Sequence, residues 1–213
     1  MHRHDDHDAR EWDQRYAGDG DGVPRWSGRP NGTMVAEVAD LVPGTALDVG
    51  CGEGADAIWL AQQGWQVTAA DPSRVALDRA ESAAREAGVE VTWVHAGLLE
   101  MPSGPGVHDL VSAQYMVLRR TDDDAAITAL LGAVALGGTL LVVHHELDPA
   151  HATEHGSDPD DYVMPGDVAA HLDDGWEVEL HETRPRPEPV PPGARHIRDV
   201  VLRVRRLTGA SDA

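Results

Sequence analysis

The chain has 213 residues, 41% of them hydrophobic and 25% charged, and its 37 acidic against 17 basic side chains give a formal charge of −20. This composition suits a globular domain long enough to bury a layered core. So acidic a surface repels phosphate backbones and anionic lipid headgroups, which argues against nucleic-acid or membrane partners.

Residues 1–10, MHRHDDHDAR, lack the apolar run of a secretory leader and are expected to be a mobile His- and Asp-rich tail. Residues 11–41 predict a helical cap: one short helix, a loop containing WSGRPN, and a second helix from about Thr33. Thr33 is the expected N-cap, with Val35, Val38, Ala39 and Val42 as the apolar stripe. From Thr45 the pattern alternates. Strand Thr45–Val49 leads to helix Ala55–Gln63, and strand Trp65–Ala70 to helix Ser73–Ala87, capped by Ser73 and closed by Gly88. Strands Val89–His95 and His108–Ala113 follow, then helix Asp122–Ala135. Strand Thr139–His144 comes after a Gly137-Gly138 turn. A short helix near Val168–Leu172 precedes strands Trp176–Glu182 and Ile197–Arg205, whose proline-rich link reads as a closing hairpin. Strands alternating with helices imply an α/β fold: a Rossmann-like three-layer sandwich on a mostly parallel seven-stranded sheet, its last strand antiparallel. Residues 11–213 are expected to form one domain, 11–41 as the N-terminal helical cap and 42–213 as the core.

Cys51, the one cysteine, leaves no partner for an internal disulfide, and no apolar stretch is long enough to span a bilayer; both fit a cytoplasmic protein. Between the first strand and its helix lies Asp48-Val49-Gly50-Cys51-Gly52-Glu53-Gly54. Glycines there let the backbone turn tightly and a ligand come close, at the strand ends where open α/β sheets bind ligands. The spacing is G-x-G-x-G rather than the G-x-G-x-x-G of dinucleotide sites, and Asp48 and Glu53 are poor neighbours for a pyrophosphate but good ones for ammonium and sulfonium charges. Asp71, 21 residues beyond Gly50 in VTAADPS, stands where a carboxylate accepts hydrogen bonds from vicinal ribose hydroxyls. The exit of the fourth strand puts Ala113, Gln114 and Tyr115 near the reactive end of a ligand lying across the first strand.

With ALDVGCGEGADAIWLA, VTAADPS, VTWVHAGLLEMP, HDLVSAQY and ALGGTLLVV in that order, the chain resembles the class I S-adenosylmethionine (SAM)-dependent methyltransferases, well over residues 41–145 and loosely elsewhere. The WDQRYAG and WSGRPN blocks resemble the N-terminal segment of the small-molecule methyltransferases related to tellurite-resistance and thiopurine S-methyltransferases. The resemblance implies SAM as cofactor and S-adenosylhomocysteine as product. It implies contacts from Asp48, Gly50, Cys51, Gly52, Gly54, Asp71, Pro72, Gly97, Leu98, Leu99, Ala113 and Gln114. One departure stands out: Gly97 replaces the aspartate that in the family often accepts from the adenine amino group. The Leu98 amide remains as a donor, and losing the acid is expected to weaken affinity by roughly 1–3 kcal/mol.

Methyl transfer needs an in-line nucleophile and exclusion of water, with a base only if the acceptor must lose a proton. The candidate bases are His145 and His144 at the end of the fifth strand; alternation lets at most one face the pocket. Trp12, Tyr16 and Trp26 are read either as a lid over the sulfonium or as a small satellite core. Arg29 suits a cofactor carboxylate or the open surface, and Tyr115 lines the acceptor pocket or packs beneath it. Of two histidine groups, His2/His4/His7 is read as a mobile tail with weak, incidental metal affinity and His144/His145/His151/His155 has no recognised ligand spacing, so no functional metal is expected. The polar stretch from Leu147 to Pro165 is long enough to be a closing loop. The expected partner is a small-molecule methyl acceptor with a sulfur, oxygen or nitrogen nucleophile, a soft one favoured. The competing reading is a non-catalytic SAM sensor or partner subunit, and a monomer and a homodimer are both open.

Overall fold

A computed structural model describes residues 5–18, 26–101, 106–146, 161–187 and 197–209. Their strands are β1 (Thr45–Val49), β2 (Gln66–Asp71), β3 (Thr92–His95), β4 (His108–Gln114), β5 (Val134–His145), β6 (Trp176–Pro185) and β7 (Arg198–Arg206). The helices are α1 (Asp5–Ala17), α2 (Gly32–Val38), α3 (Ala55–Gln62), α4 (Arg74–Ala87), α5 (Ala125–Ala133) and α6 (Pro165–Ala170), with a short 3-10 turn at Leu98–Glu100. All seven strands join one sheet in the order β3-β2-β1-β4-β5-β7-β6. β7 inserts antiparallel between β5 and β6, so the closing hairpin expected from the sequence forms the sheet's far edge. This is the α/β sandwich expected from the alternation.

Side-chain parity splits the core into two layers. Ala46, Leu110, Leu141, Val143 and Val201 face α2 and α3, where Met34, Val38, Ala57 and Leu60 are buried against them. Leu47, Val49, Val111, Ala113, Leu140, Val142, Leu202 and Val204 face the other way, onto Ile127 and Leu130 of α5 and Val168 of α6. Each fully buried leucine or isoleucine here contributes about 2 kcal/mol of apolar transfer. The same parity decides which polar residues at the strand ends meet. Asp48, Gln114, His145 and Asp199 are all in phase with the α2/α3 layer.

α5 is shorter than expected, β6 runs on to Pro185 and α6 starts at Pro165, and four further boundaries also differ from the sequence reading. α1 begins at Asp5, inside the stretch expected to be a tail. α2 is capped by Asn31, whose side chain accepts from the Thr33 amide at 3.1 Å; Thr33 lies inside the helix and Val42 is 86% exposed. β3 starts at Thr92 rather than Val89, because Val89 and Glu90 are spent leaving the left-handed Gly88 cap. β5 starts at Val134 and runs through Gly137-Gly138. The pair forms an irregularity in the strand, where the register with β4 shifts between His108 and Leu110. A Cβ on Gly138 would sit 2.9 Å from the His108 carbonyl oxygen, so the two backbones approach too closely for a side chain.

Candidate functional site

At the carboxyl end of β1 the chain turns back through Gly50 and Gly52, both left-handed, with φ of 68° and 53°. The Gly50 and Cys51 amides hold the turn to the Ala70 carbonyl at 2.8 and 3.0 Å. Side chains are excluded on both glycines: a Cβ on Gly50 would lie 2.8 Å from Met116, and one on Gly52 2.9 Å from the Tyr16 hydroxyl. Gly54 is the N-cap of α3.

Three carboxylates converge on this turn. Asp48 is 2% exposed; the Ala57 amide donates to it, while Oδ2 has no hydrogen-bond partner among the described residues. Asp56, on the first turn of α3, accepts the Asn31 amide at 2.6 Å. Asp71 accepts the Gly52 amide on Oδ2 and the Ser73 amide on Oδ1, both at 2.8 Å, so β2's exit is locked to the glycine turn. Burial pushes all three carboxyls up, Asp56 to about 6, and for Asp48 the neighbouring charges of Asp56 and Asp71 add to the effect. The Cys51 thiol is pushed up as well, by burial and then by Asp48 and Asp71, so it stays protonated and is no nucleophile. A buried carboxylate oxygen without a donor, among like charges, is costly unless a cation or donor reaches it.

The N-terminal segment closes over the turn. Trp26 Nε1 donates to the Tyr16 hydroxyl at 3.2 Å, and the Trp26 amide donates to Glu53 at 3.0 Å. Arg79 of α4 bridges Glu53 at 2.7 Å and the Tyr16 carbonyl at 3.0 Å. Trp12 packs 6.2 Å from Tyr16, and Asp13 Oδ1 accepts from the Ser73 hydroxyl at 2.7 Å and the Val75 amide at 3.2 Å, docking α1 on the start of α4. Tyr16 is 3% exposed and Trp26 55%, so the three aromatics make a buried base and an open edge. Arg29 is exposed, its amide on Ser27 Oγ at 3.3 Å.

Beyond β3, Gly97 opens the 3-10 turn and its amide donates to Glu100 Oε2 at 3.0 Å. That oxygen lies 3.8 Å from where a Cβ on Gly97 would stand. The Glu100 carboxylate thus stands beside Gly97, three residues later in the chain. Leu98 packs against the α5 layer and Leu99 is 48% exposed. Pro72's carbonyl meets His95 Nε2 at 3.0 Å.

On the other side of β1, Ala113 is buried beside Val49, and Gln114 accepts from Asn31 Nδ2 at 2.9 Å. Tyr115 has a left-handed φ of 52°. Alternation would send its ring to the α5 layer; the backbone turn instead brings it to the α2/α3 layer. There it stacks on His145, ring centroids 4.2 Å apart, and its hydroxyl donates to Asp199 Oδ2 at 2.8 Å. Asp199 also accepts from Thr33 Oγ1 at 2.6 Å, and its Oδ1 lies 3.7 Å from His145 Nδ1 and 3.6 Å from Arg186 Nε. His144 is on the opposite parity, its Nδ1 3.2 Å from the His145 carbonyl. Asn31 spans both halves: its amide is on Asp56, its side chain on Gln114 and, at 3.3 Å, on the Tyr115 hydroxyl.

Residues 46–138 match the family described as a methyltransferase domain. The match runs from β1 to the glycine pair in β5, less than half of the chain. An uncharacterized methyltransferase of Mycobacterium tuberculosis is 36% identical over 97 residues, 46% of this chain and 48% of that protein. A ubiquinone biosynthesis O-methyltransferase of Rickettsia felis is 31% identical over 96 residues, 45% of this chain and 39% of that protein. These alignments span about half or less of either protein. Among solved structures, a protein from work on the conversion of a disulfide bond into a thioacetal group during echinomycin biosynthesis superposes with a TM-score of 0.74. It is 24% identical and covers 96% of this chain and 95% of its own. TehB from Haemophilus influenzae superposes at 0.62 with 15% identity, covering 83% of this chain and 62% of its own. At these identities the structural likeness speaks to fold alone. The first superposition covers 96% of the chain, well beyond the residues of the family match.

Asp56, Asn31, Glu100, Arg186 and Asp199 were missed by the sequence reading. A carboxylate on the first turn of the helix after a glycine turn was a usable signal for Asp56. Arg186 and Asp199 had none, since Asp199 reaches the site through the pairing of β7 with β5 and Arg186 through that of β6 with β7. No helix among the described residues is long and apolar enough to cross a membrane, and no group of three or more His, Cys, Asp or Glu among them is arranged for a metal. His2, His4, His151 and His155 lie outside the described residues, as does most of the Leu147–Pro165 stretch.

Proposed function

We propose that the chain is a SAM-dependent methyltransferase acting on a small-molecule acceptor in the cytoplasm. The observation that carries this reading is the buried Asp48 carboxylate, with Oδ2 unsatisfied and Asp56 and Asp71 beside it. A dinucleotide would bring phosphates into a nest of acids; SAM brings an ammonium, a sulfonium and a ribose diol. Asp48 would take the ammonium and Asp71, with Pro72 beside it, the ribose hydroxyls. Gly97, Leu98 and Leu99 would border the adenine, with Glu100 in place of the usual aspartate. Gly50, Cys51, Gly52 and Gly54 keep side chains clear of the cofactor, and Ala113 and Gln114 would bound its reactive end. Arg29 is available to the cofactor carboxylate. Bound there, the cofactor supplies an electrophilic methyl group.

The chain's own contribution is binding, water exclusion and proton management. Trp12, Tyr16 and Trp26 form the cover, their π faces suited to a sulfonium. His145 is the residue to take a proton from the acceptor, since its parity brings it to Tyr115, while His144 faces away. A sulfur or oxygen acceptor is favoured over a nitrogen one; the resemblance to sulfur-methylating enzymes and the likeness to an O-methyltransferase support this. The formal charge of −20 argues for a neutral or cationic acceptor and against nucleic acid.

Calorimetric titration of the full chain with SAM and with NAD tests the cofactor. Heat with SAM and none with NAD is expected; silence with SAM ends the proposal. Incubation with methyl-labelled SAM and a panel of thiols, phenols and amines then tests transfer. Labelling of a thiol or phenol is expected, whereas tight SAM binding with no product from any acceptor would point to a sensor.

A further inference from the structure

We propose that Asp199 is a positioning residue for the transfer: it holds His145 and Tyr115 at the acceptor face so that the imidazole removes a proton from a hydroxyl, phenol or thiol acceptor. This rests on the methyltransferase reading above and assigns the missing polar half of its site. Asp199 is 0% exposed, yet it is the meeting point of five elements. It receives Thr33 from α2 and Tyr115 from the β4 exit on one oxygen, and faces His145 from β5 and Arg186 from the β6 exit on the other. Its cross-strand neighbour on β6, Arg184, turns instead to Glu37 and Glu182, and Arg198 pairs with Glu146 at 2.9 Å. Burial opposes the Asp199 charge, but the contacts from His145, Thr33 and Tyr115 and the Arg186 guanidinium outweigh it and hold the carboxyl below its ordinary range. Tyr115 is driven the other way, by burial and then by Asp199, so its hydroxyl stays a donor and is no base.

Geometry then divides the work. Asp199 Oδ1, which accepts no hydrogen bond among the described residues, faces His145 Nδ1 at 3.7 Å; the carboxylate charge there favours the tautomer with hydrogen on Nδ1 and leaves Nε2 as the basic nitrogen. Tyr115, stacked flat on the imidazole with Arg186 5.0 Å over its own ring, fixes the plane of His145. In the transfer the acceptor's X–H proton passes to Nε2, and the lone pair left on X forms the new bond to carbon. The electron pair of the broken carbon–sulfur bond stays on sulfur. The sulfonium charge disappears as an imidazolium charge appears, and Asp199 stands next to the new charge. The left-handed φ of Tyr115, unusual for a bulky residue, fits a backbone held to deliver this ring. A purely structural reading, in which Asp199 only pins α2 to the sheet through Thr33, predicts no effect on the histidine tautomer or on the pH profile.

The test combines nitrogen-15 NMR of the histidine side chains in the cofactor-free chain with kinetics of Asp199→Asn. Resonances of His145 are assigned by His145→Gln, and benzenethiol and catechol serve as acceptor probes. Nδ1–H is expected to dominate at His145 in the wild type and to become mixed in D199N. D199N is expected to keep SAM affinity within about twofold and KM within about threefold. Its kcat should fall about 100-fold, with the acidic limb of the pH profile displaced. A wild-type His145 carrying its hydrogen on Nε2 overturns the proposal, and that reading needs neither an acceptor nor a foldable variant. A folded D199N with an unchanged tautomer and kcat within twofold overturns it too. Failure of the wild type to bind SAM sinks the methyltransferase reading instead, a result the tautomer measurement does not share.

Discussion

The two halves of the site treat buried carboxylates in opposite ways. Beside β1 and β2, Asp48, Asp56 and Asp71 are pushed up by burial and held by backbone amides, with no cationic side chain touching them in the described contacts. Beside β5 and β7, the equally buried Asp199 is pulled down by two hydroxyls, an imidazole and a guanidinium. One half is an acid cluster that burial drives toward its protonated form and that, on the reading proposed above, a cationic ligand would hold ionised. The other has two hydroxyl donors on one oxygen and an imidazole and a guanidinium within 3.7 Å of the second, and so, on the inference above, orients side chains rather than binding a cation. Burial alone therefore does not tell what a carboxylate is for; the number and charge of its donors do.

The largest effect expected from breaking this contrast is at Asp48. Asp48→Asn keeps the shape but loses the charge, and SAM affinity measured by calorimetry should fall about 100-fold, or roughly 3 kcal/mol. A drop of less than threefold would mean the cluster is not the cation site. Asp56→Asn comes next. Because the folded-state value of Asp56 is raised to about 6 above an unfolded value near ~3.9, the folded state binds its proton more tightly, and stability falls as pH rises between the two. The cofactor-free wild type should thus lose on the order of 1–2 kcal/mol across that window, and D56N should flatten the loss in urea titrations. Asp199 has the opposite sign: its depressed value contributes stability above the unfolded value that is lost as pH falls below ~4.

Thr33→Val removes one donor to Asp199 and should cost about 1 kcal/mol without changing SAM affinity. Glu100→Gln tests whether the displaced carboxylate serves the adenine: SAM binding should weaken about threefold, or roughly 0.7 kcal/mol. The smallest effect is expected at the exposed β6–β7 ladder. Arg205 pairs with Glu177 and Glu179 in open solvent, so Arg205→Ala should leave both SAM binding and the thermal midpoint unchanged.

Much of the geometry around the glycine turn, the proposed cofactor half, was legible in the sequence because it is local. Asp48 through Gly54 is one turn, and Asp71 follows from its residue type and its place after the second strand, 21 residues beyond Gly50. The proposed acceptor half is built from long-range meetings. Thr33 and Asp199 are 166 positions apart, and whether Asn31 or Thr33 caps α2 depends on Asp199 claiming the threonine hydroxyl. Nothing near Asp199 in the chain signals this, since antiparallel pairing with β5 decides which residue faces His145. Tyr115 was placed near the pocket by its position after β4, but its stacking on His145 needed a positive φ that an aromatic residue seldom adopts. At Gly137-Gly138 the local rule misled: a glycine pair reads as a turn, and here it lets two strands approach.

The most direct test of the contrast is the pH dependence of SAM binding, titrated calorimetrically from pH 5 to 8 in two buffers of different ionisation heat. If the acid cluster is the cation site, affinity rises at least about tenfold as Asp56 and its neighbours ionise, with proton release to buffer below about pH 6. Affinity independent of pH, with no proton released, would contradict the account.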